Sequence, residues 1–95
     1  MSKVTQLDDT QILERLGALH HWTRDGKEIK RSLKFKNFVE AFGFLTQVAI
    51  LSEAADHHAE IWNVYNEVTL TLTTHDCDGL SWKDFDLATK IEDLL

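Results

Sequence analysis

Three observations predict an α+β fold in which a four-stranded antiparallel sheet carries helices on one face. Segments with helical apolar spacing are separated by two pairs of segments with period-two alternation, in the order α-β-β-α-β-β-α. Each helical segment is preceded by a capping residue. The strand pairs are joined by short polar connections, and the chain contains no proline to break them.

The first helix opens in "LDDTQILERLGAL". Asp8 is its expected N-cap with Gln11 three residues on, Leu7 and Ile12 are placed to staple the entry, and Leu13, Leu16 and Leu19 form an apolar stripe. From His20 to Lys36 the period changes. An Asp25-Gly26 turn separates "HHWTR" from "KEIKRSLKFK", where Ile29, Leu33 and Phe35 alternate with Lys30, Ser32, Lys34 and Lys36, which predicts a hairpin with one wet face.

Asn37 and Glu40 form a capping pair for the longest helix, "NFVEAFGFLTQVAILSEAADH", with Phe38, Ala41, Phe42, Leu45, Val48 and Ala49 marking its expected buried face. The second strand pair is "IWNVYN" and "EVTLTLTTH". There Val68, Leu70 and Leu72 alternate with Thr69, Thr71 and Thr73, and His75 is expected to continue the polar threonine face. The last helix follows a Gly79 turn, with Ser81 as cap, Asp84 at the third helical position, and Phe85, Ala88, Ile91 and Leu95 as buried residues. With no linker or low-complexity tract, residues 1–95 are expected to form a single domain.

Composition narrows the function. A net charge of −6 and the absence of a Lys/Arg-rich run argue against nucleic acid, whose capture depends on clustered positive charge. Cys77 is the only cysteine, so neither an internal disulfide nor a cysteine-based zinc site is expected, and the residue reads as a small hydrophobe. The N-terminus lacks a secretory pattern and no stretch reads as about 18 consecutive apolar residues, so the expectation is a cytoplasmic chain with no membrane contact.

The chemistry concentrates around "DHHAEIWNVYNEV". Two adjacent imidazoles, His57 and His58, each carry a polar ring nitrogen that a dry core would not satisfy. They can flank one ligand only if the chain turns there, because neighbouring residues in an extended segment point to opposite sides. Glu53 lies near the border of the expected apolar stripe, four residues before His57, so the two are placed to meet at the helix's last turn. With His75, the set comprises three imidazoles and a carboxylate, an inventory for acid–base chemistry. It is also a zinc inventory, but no H-E-x-x-H or helical i, i+4 histidine pair occurs, and no metal is expected. Asp84 is explained by its capping box alone. Trp22 has two open readings, core or aromatic wall for a flat ligand, and is carried as the candidate substrate-binding residue. His20 and His21 read as surface residues.

At this point the pattern resembles the pterin-4a-carbinolamine dehydratase family: Glu53, three residues, His57-His58, then Tyr65, nine residues to His75, and eight more to Asp84. The likeness continues through residues 35 to 49, 63 to 68 and 74 to 88, and weakens in the first helix and opening hairpin. One departure is Ala59, where the family usually has proline, which implies a less stiff loop. The resemblance implies a dehydratase that converts 4a-hydroxytetrahydropterin to quinonoid dihydropterin without metal or cofactor. In it His57, His58 and His75 would surround the reacting carbon, with Glu53 and Asp84 in support. It further implies a homodimer or homotetramer. The alternative reading is a non-catalytic dimerisation cofactor or assembly factor for a protein partner.

Overall fold

A computed structural model describes residues 4–95 of the chain. Its elements are α1 (Asp9–Leu16), β1 (Thr23–Asp25), β2 (Glu28–Lys34), α2 (Phe38–Ala55), β3 (Glu60–Val64), β4 (Glu67–Leu72), a one-turn 3₁₀ segment (His75–Cys77) and α3 (Trp82–Glu92). The strands form one antiparallel sheet in the order β1-β2-β4-β3. Element order and sheet type are those the sequence predicts.

The caps explain where the helices begin. Asp8 and Gln11 form a reciprocal capping box on α1, Asn37 accepts from the Glu40 backbone on α2, and Ser81 and Asp84 form a second complete box on α3. Both hairpins turn through two residues whose first member has positive φ: Gly26 (φ 61°) and Tyr65 (φ 50°). That conformation is free for glycine and strained for tyrosine. Two asparagines brace the tyrosine turn, with Asn63 Nδ2 donating to the carbonyls of Tyr65 (3.1 Å) and Glu67 (2.9 Å) and Asn66 Nδ2 donating to that of Phe35 (2.7 Å).

The core lies between the inner face of the sheet and the helices. Ile29, Val68, Leu70 and Leu72 meet Ala41, Leu45 and Val48 of α2, Phe85, Ala88 and Ile91 of α3, and Ile12 of α1 in one apolar cluster. Period-two alternation on β4 holds throughout: Val68, Leu70 and Leu72 are buried while Thr69 and Thr71 are partly exposed on the other face.

Several expectations about burial are corrected. The inward face of α2 is Ala41, Phe44, Leu45, Val48 and Ser52, so the expected stripe is rotated and Phe38, Phe42 and Ala49 are exposed. Phe38 and Phe42 instead meet edge to face on the outside, with centroids 5.4 Å apart. The cause is that α2 is apolar nearly all round, so spacing alone could not choose its buried side. The same helix has 18 residues and a mean hydropathy of 1.3, long and apolar enough to cross a membrane by length and composition alone, although it holds no run of 18 consecutive apolar residues. Leu13 and Leu95, expected inside, are exposed. β4 stops at Leu72, so His75 does not extend the threonine face but opens the 3₁₀ turn.

Leu70→Ala is expected to destabilise the fold by about 2–5 kcal/mol, because the side chain is fully enclosed, while Leu13→Ala should change stability by no more than about 0.5 kcal/mol. Urea denaturation of the two variants checks the ranking.

Candidate active site

The site is built where three chain segments meet: the exit of α2, the turn after β4 and the start of α3. The exit of α2 is a Schellman turn. Asp56 takes the left-handed conformation (φ 50°, ψ 42°), its N–H donates to Glu53 O, and the His57 N–H reaches back to Ser52 O at 3.1 Å. Aspartate tolerates that conformation better than most residues. The consequence is a sharp change of direction at the paired histidines, which the sequence requires if both are to face one ligand.

His57 turns inward. Its Nε2 lies 2.6 Å from Asp84 Oδ1, with the His57 side chain 11% exposed and Asp84 fully buried. A carboxylate only accepts, so Nε2 carries the proton and Nδ1 is the nitrogen left to a ligand. The second oxygen, Asp84 Oδ2, accepts from Thr74 Oγ1 at 2.7 Å and from the Ser81 backbone N–H at 2.9 Å. Asp84 is therefore both the reciprocal arm of the α3 capping box and the partner of His57.

His58 turns outward. Its Nε2 lies 2.7 Å from Glu53 Oε1, with both side chains well exposed. The expected meeting of Glu53 with His57 is thus corrected: Glu53 pairs with His58, and His57 with Asp84. Glu53 is also outside the buried stripe, on the exposed side of α2 that it shares with Phe42.

His57, His58 and His75 line one polar cavity of about 240 Å³. Thr73 and Thr74 form its wall beyond β4, and Lys83, Asp56 and Asp76 add charge at its rim. That volume is somewhat below the roughly 300–1,000 Å³ of drug-sized pockets and suits a small ligand. Three imidazoles, two of them backed by carboxylates, are groups able to deliver and remove protons on a bound ligand. Among the described residues, no group of three or more His, Cys, Asp or Glu side chains is arranged to hold a metal ion.

Trp22 takes the core reading. It is 3% exposed, its indole N–H donates to Glu92 Oε1 at 2.8 Å beside the Arg31 Nε bond to the same oxygen, and it does not line the histidine cavity. Tyr65 sits at the far end of β3 from His58, roughly 16 Å of strand away, so its place in the spacing pattern marks the turn and not the cavity. Sequence reasoning passed over Thr74. The signal was available: Thr74 continues the inward register of Val68, Leu70 and Leu72, and a hydroxyl on that side demands a buried partner.

Burial, then the negative charge of Asp84, pushes the Cys77 thiol above its ordinary value. It also contacts the carbonyls of Thr74 and Gly79, each at 3.6 Å.

Comparison with known proteins follows the same outline. Residues 5–94 match the family model described as pterin 4 alpha carbinolamine dehydratase. A relative from Roseiflexus sp. (strain RS-1) that carries the provisional name pterin-4-alpha-carbinolamine dehydratase is 50% identical over 91 residues, covering 96% of this chain and 98% of its own. A Picosynechococcus sp. relative of the same name is 47% identical over 90 residues, covering 95% and 98%. The crystal structure of a transcriptional coactivator/pterin dehydratase from Brucella melitensis superposes with a TM-score of 0.91 at 39% identity, covering 95% of this chain and 98% of that one.

Asp84→Asn should cost about 1–3 kcal/mol in stability, because it leaves buried donors facing an amide N–H₂, whereas Glu53→Gln should cost no more than about 0.5 kcal/mol for an exposed, water-screened pair. Thermal unfolding of the two variants decides between them. Alkylation of Cys77 is expected to rise with a pH midpoint above that of a free thiol, since burial and Asp84 both oppose the thiolate; a midpoint at or below it would contradict the assignment.

Proposed function

This chain belongs to the pterin 4 alpha carbinolamine dehydratase family, and we propose that it removes water from 4a-hydroxytetrahydropterin, giving quinonoid dihydropterin in tetrahydropterin recycling. The observation that carries this reading is the convergence of His57, His58 and His75 on one small polar cavity, with His57 backed by a buried carboxylate.

The reaction breaks the C4a–O bond and forms a C4a=N5 double bond. An imidazolium gives a proton to the departing hydroxyl, which leaves as water, and a neutral imidazole takes the N5 proton, so the protein ends with the protons it began with. Imidazole is suited to both halves, because its unperturbed pKa of about 6.5 leaves both forms populated near neutral pH. No metal or cofactor has a step to perform. His57, with Asp84 behind it, keeps a fixed orientation and stabilises positive charge on its ring; Glu53 does the same more weakly for His58.

We further propose a homodimer or homotetramer in the cytoplasm. Exposed apolar residues support an assembly: Phe38, Val39, Phe42 and Ile50 on α2, and Ile61, Trp62 and Val64 on β3, whose outer edge has no partner strand among the described residues. The name of the Brucella structure joins coactivator to dehydratase, so binding to a protein partner is the second reading. A pure scaffold has no use for a buried imidazole–carboxylate pair, which favours the enzyme.

His57→Ala and His75→Ala are each expected to slow dehydration by about 10²-fold or more while His20→Ala leaves it unchanged, as measured by stopped-flow absorbance of the carbinolamine. Unchanged rates in both cavity variants would remove the proposal. Sedimentation equilibrium should give a mass of two or four chains, and a monomer at micromolar concentration would contradict the assembly.

A further inference from the structure

We infer that Thr74 is a positioning residue for His57, acting through Asp84: by donating to the carboxylate's second oxygen it tempers the hold that Asp84 has on the imidazole proton.

Thr74 is 4% exposed, and Ser81 and Asp84 are fully buried, so the hydrogens of this cluster have no water to choose. Asp84 can only accept, so the single Thr74 hydroxyl proton goes to Asp84 Oδ2. Thr74 Oγ1, 2.7 Å from Ser81 Oγ, must then accept from the serine hydroxyl. Ser81 Oγ in turn accepts from the Lys83 backbone N–H at 3.2 Å. The proton order is fixed from the first turn of α3 through Ser81, Thr74 and Asp84 to His57, with no second arrangement that satisfies every group.

Packing alone does not explain a hydroxyl here. Thr74 follows Val68, Leu70 and Leu72 on the inward register, where valine has the same shape and no polar group to satisfy. Its backbone is fixed independently, by Thr74 N to Gly79 O at 2.8 Å, and the next residue is His75. Thr74 therefore joins the turn that carries His75 to the carboxylate that holds His57.

Removing the threonine O–H leaves Asp84 Oδ2 with one donor in place of two. The carboxylate's charge then acts more fully on the imidazole, so His57 holds its proton more tightly and its titration midpoint rises. The other titratable groups that line the cavity with His57 are Asp56 and His58 on its own loop, His75 and Asp76 on the 3₁₀ turn, and Lys83 on α3, with Glu53 engaged by His58. The Cys77 thiol, which contacts the Thr74 carbonyl at 3.6 Å, is the further titratable group beside Asp84.

The test is a ¹⁵N–¹H NMR titration of the histidine side chains in the full chain, comparing wild type with Thr74→Val, Thr74→Ala and Thr74→Ser. The expected result is a rise of about half to one pH unit in the His57 midpoint for Val and Ala, and a wild-type midpoint for Ser. With 4a-hydroxytetrahydropterin, kcat should fall about tenfold in the Val variant at unchanged KM, and serine should restore it. A His57 midpoint that stays put in whichever of the two hydroxyl-free variants folds, or a serine variant that fails to restore it, overturns the inference, even if thermal stability falls. The kinetic arm rests on the dehydratase reading, but the titration needs no substrate. A wild-type chain without turnover sinks that reading and leaves the titration to judge Thr74.

Discussion

One fully buried carboxylate organises this site. Asp84 accepts from the His57 imidazole, the Thr74 hydroxyl and the Ser81 backbone N–H, and these donors come from three separate parts of the chain. A buried carboxylate is costly unless its lone pairs are met, so the three segments are held together by the need to satisfy it. The start of α3, the end of the β4 strand line and the exit of α2 thus share one polar point beneath an otherwise apolar core.

The histidines inherit their positions from that point. His57 is fixed directly, and His75 is fixed through its neighbour Thr74. His58 follows from the Schellman turn at Asp56, which sends the second imidazole of the pair outward to the exposed Glu53. The result is one enclosed imidazole and two exposed ones on one cavity. That division suits a reaction in which one proton is removed at a defined atom and another is delivered to a departing group.

Much of this was legible in the chain. Capping residues placed Asp8, Asn37 and Ser81 at the starts of the three helices, and strict alternation identified the inward face of β4. The histidines, Glu53 and Asp84 stood out by type and spacing. What could not be read was decided by long-range geometry. The apolarity of α2 hides which side faces the sheet, and the i, i+4 spacing of Glu53 and His57 does not act because the chain turns at Asp56, so Glu53 meets His58. Asp84 satisfied a local capping rule so completely that its second partner, 27 residues away in sequence, left no separate trace. Trp22 needed the position of Glu92, 70 residues on, to settle as core. Tyr65 matched a pattern associated with the site, yet its positive φ and two asparagine braces show a turn residue.

His57, His58 and His75 line one small cavity, and the proposed dehydration needs a pterin to sit in it. A crystal structure with a bound dihydropterin analogue tests it most directly. The bicyclic ring is expected between His57, His58 and His75, with its C4a–N5 edge within hydrogen-bonding reach of His57 Nδ1. An analogue bound at any other surface, or imidazoles pointing away from the ring, would contradict it.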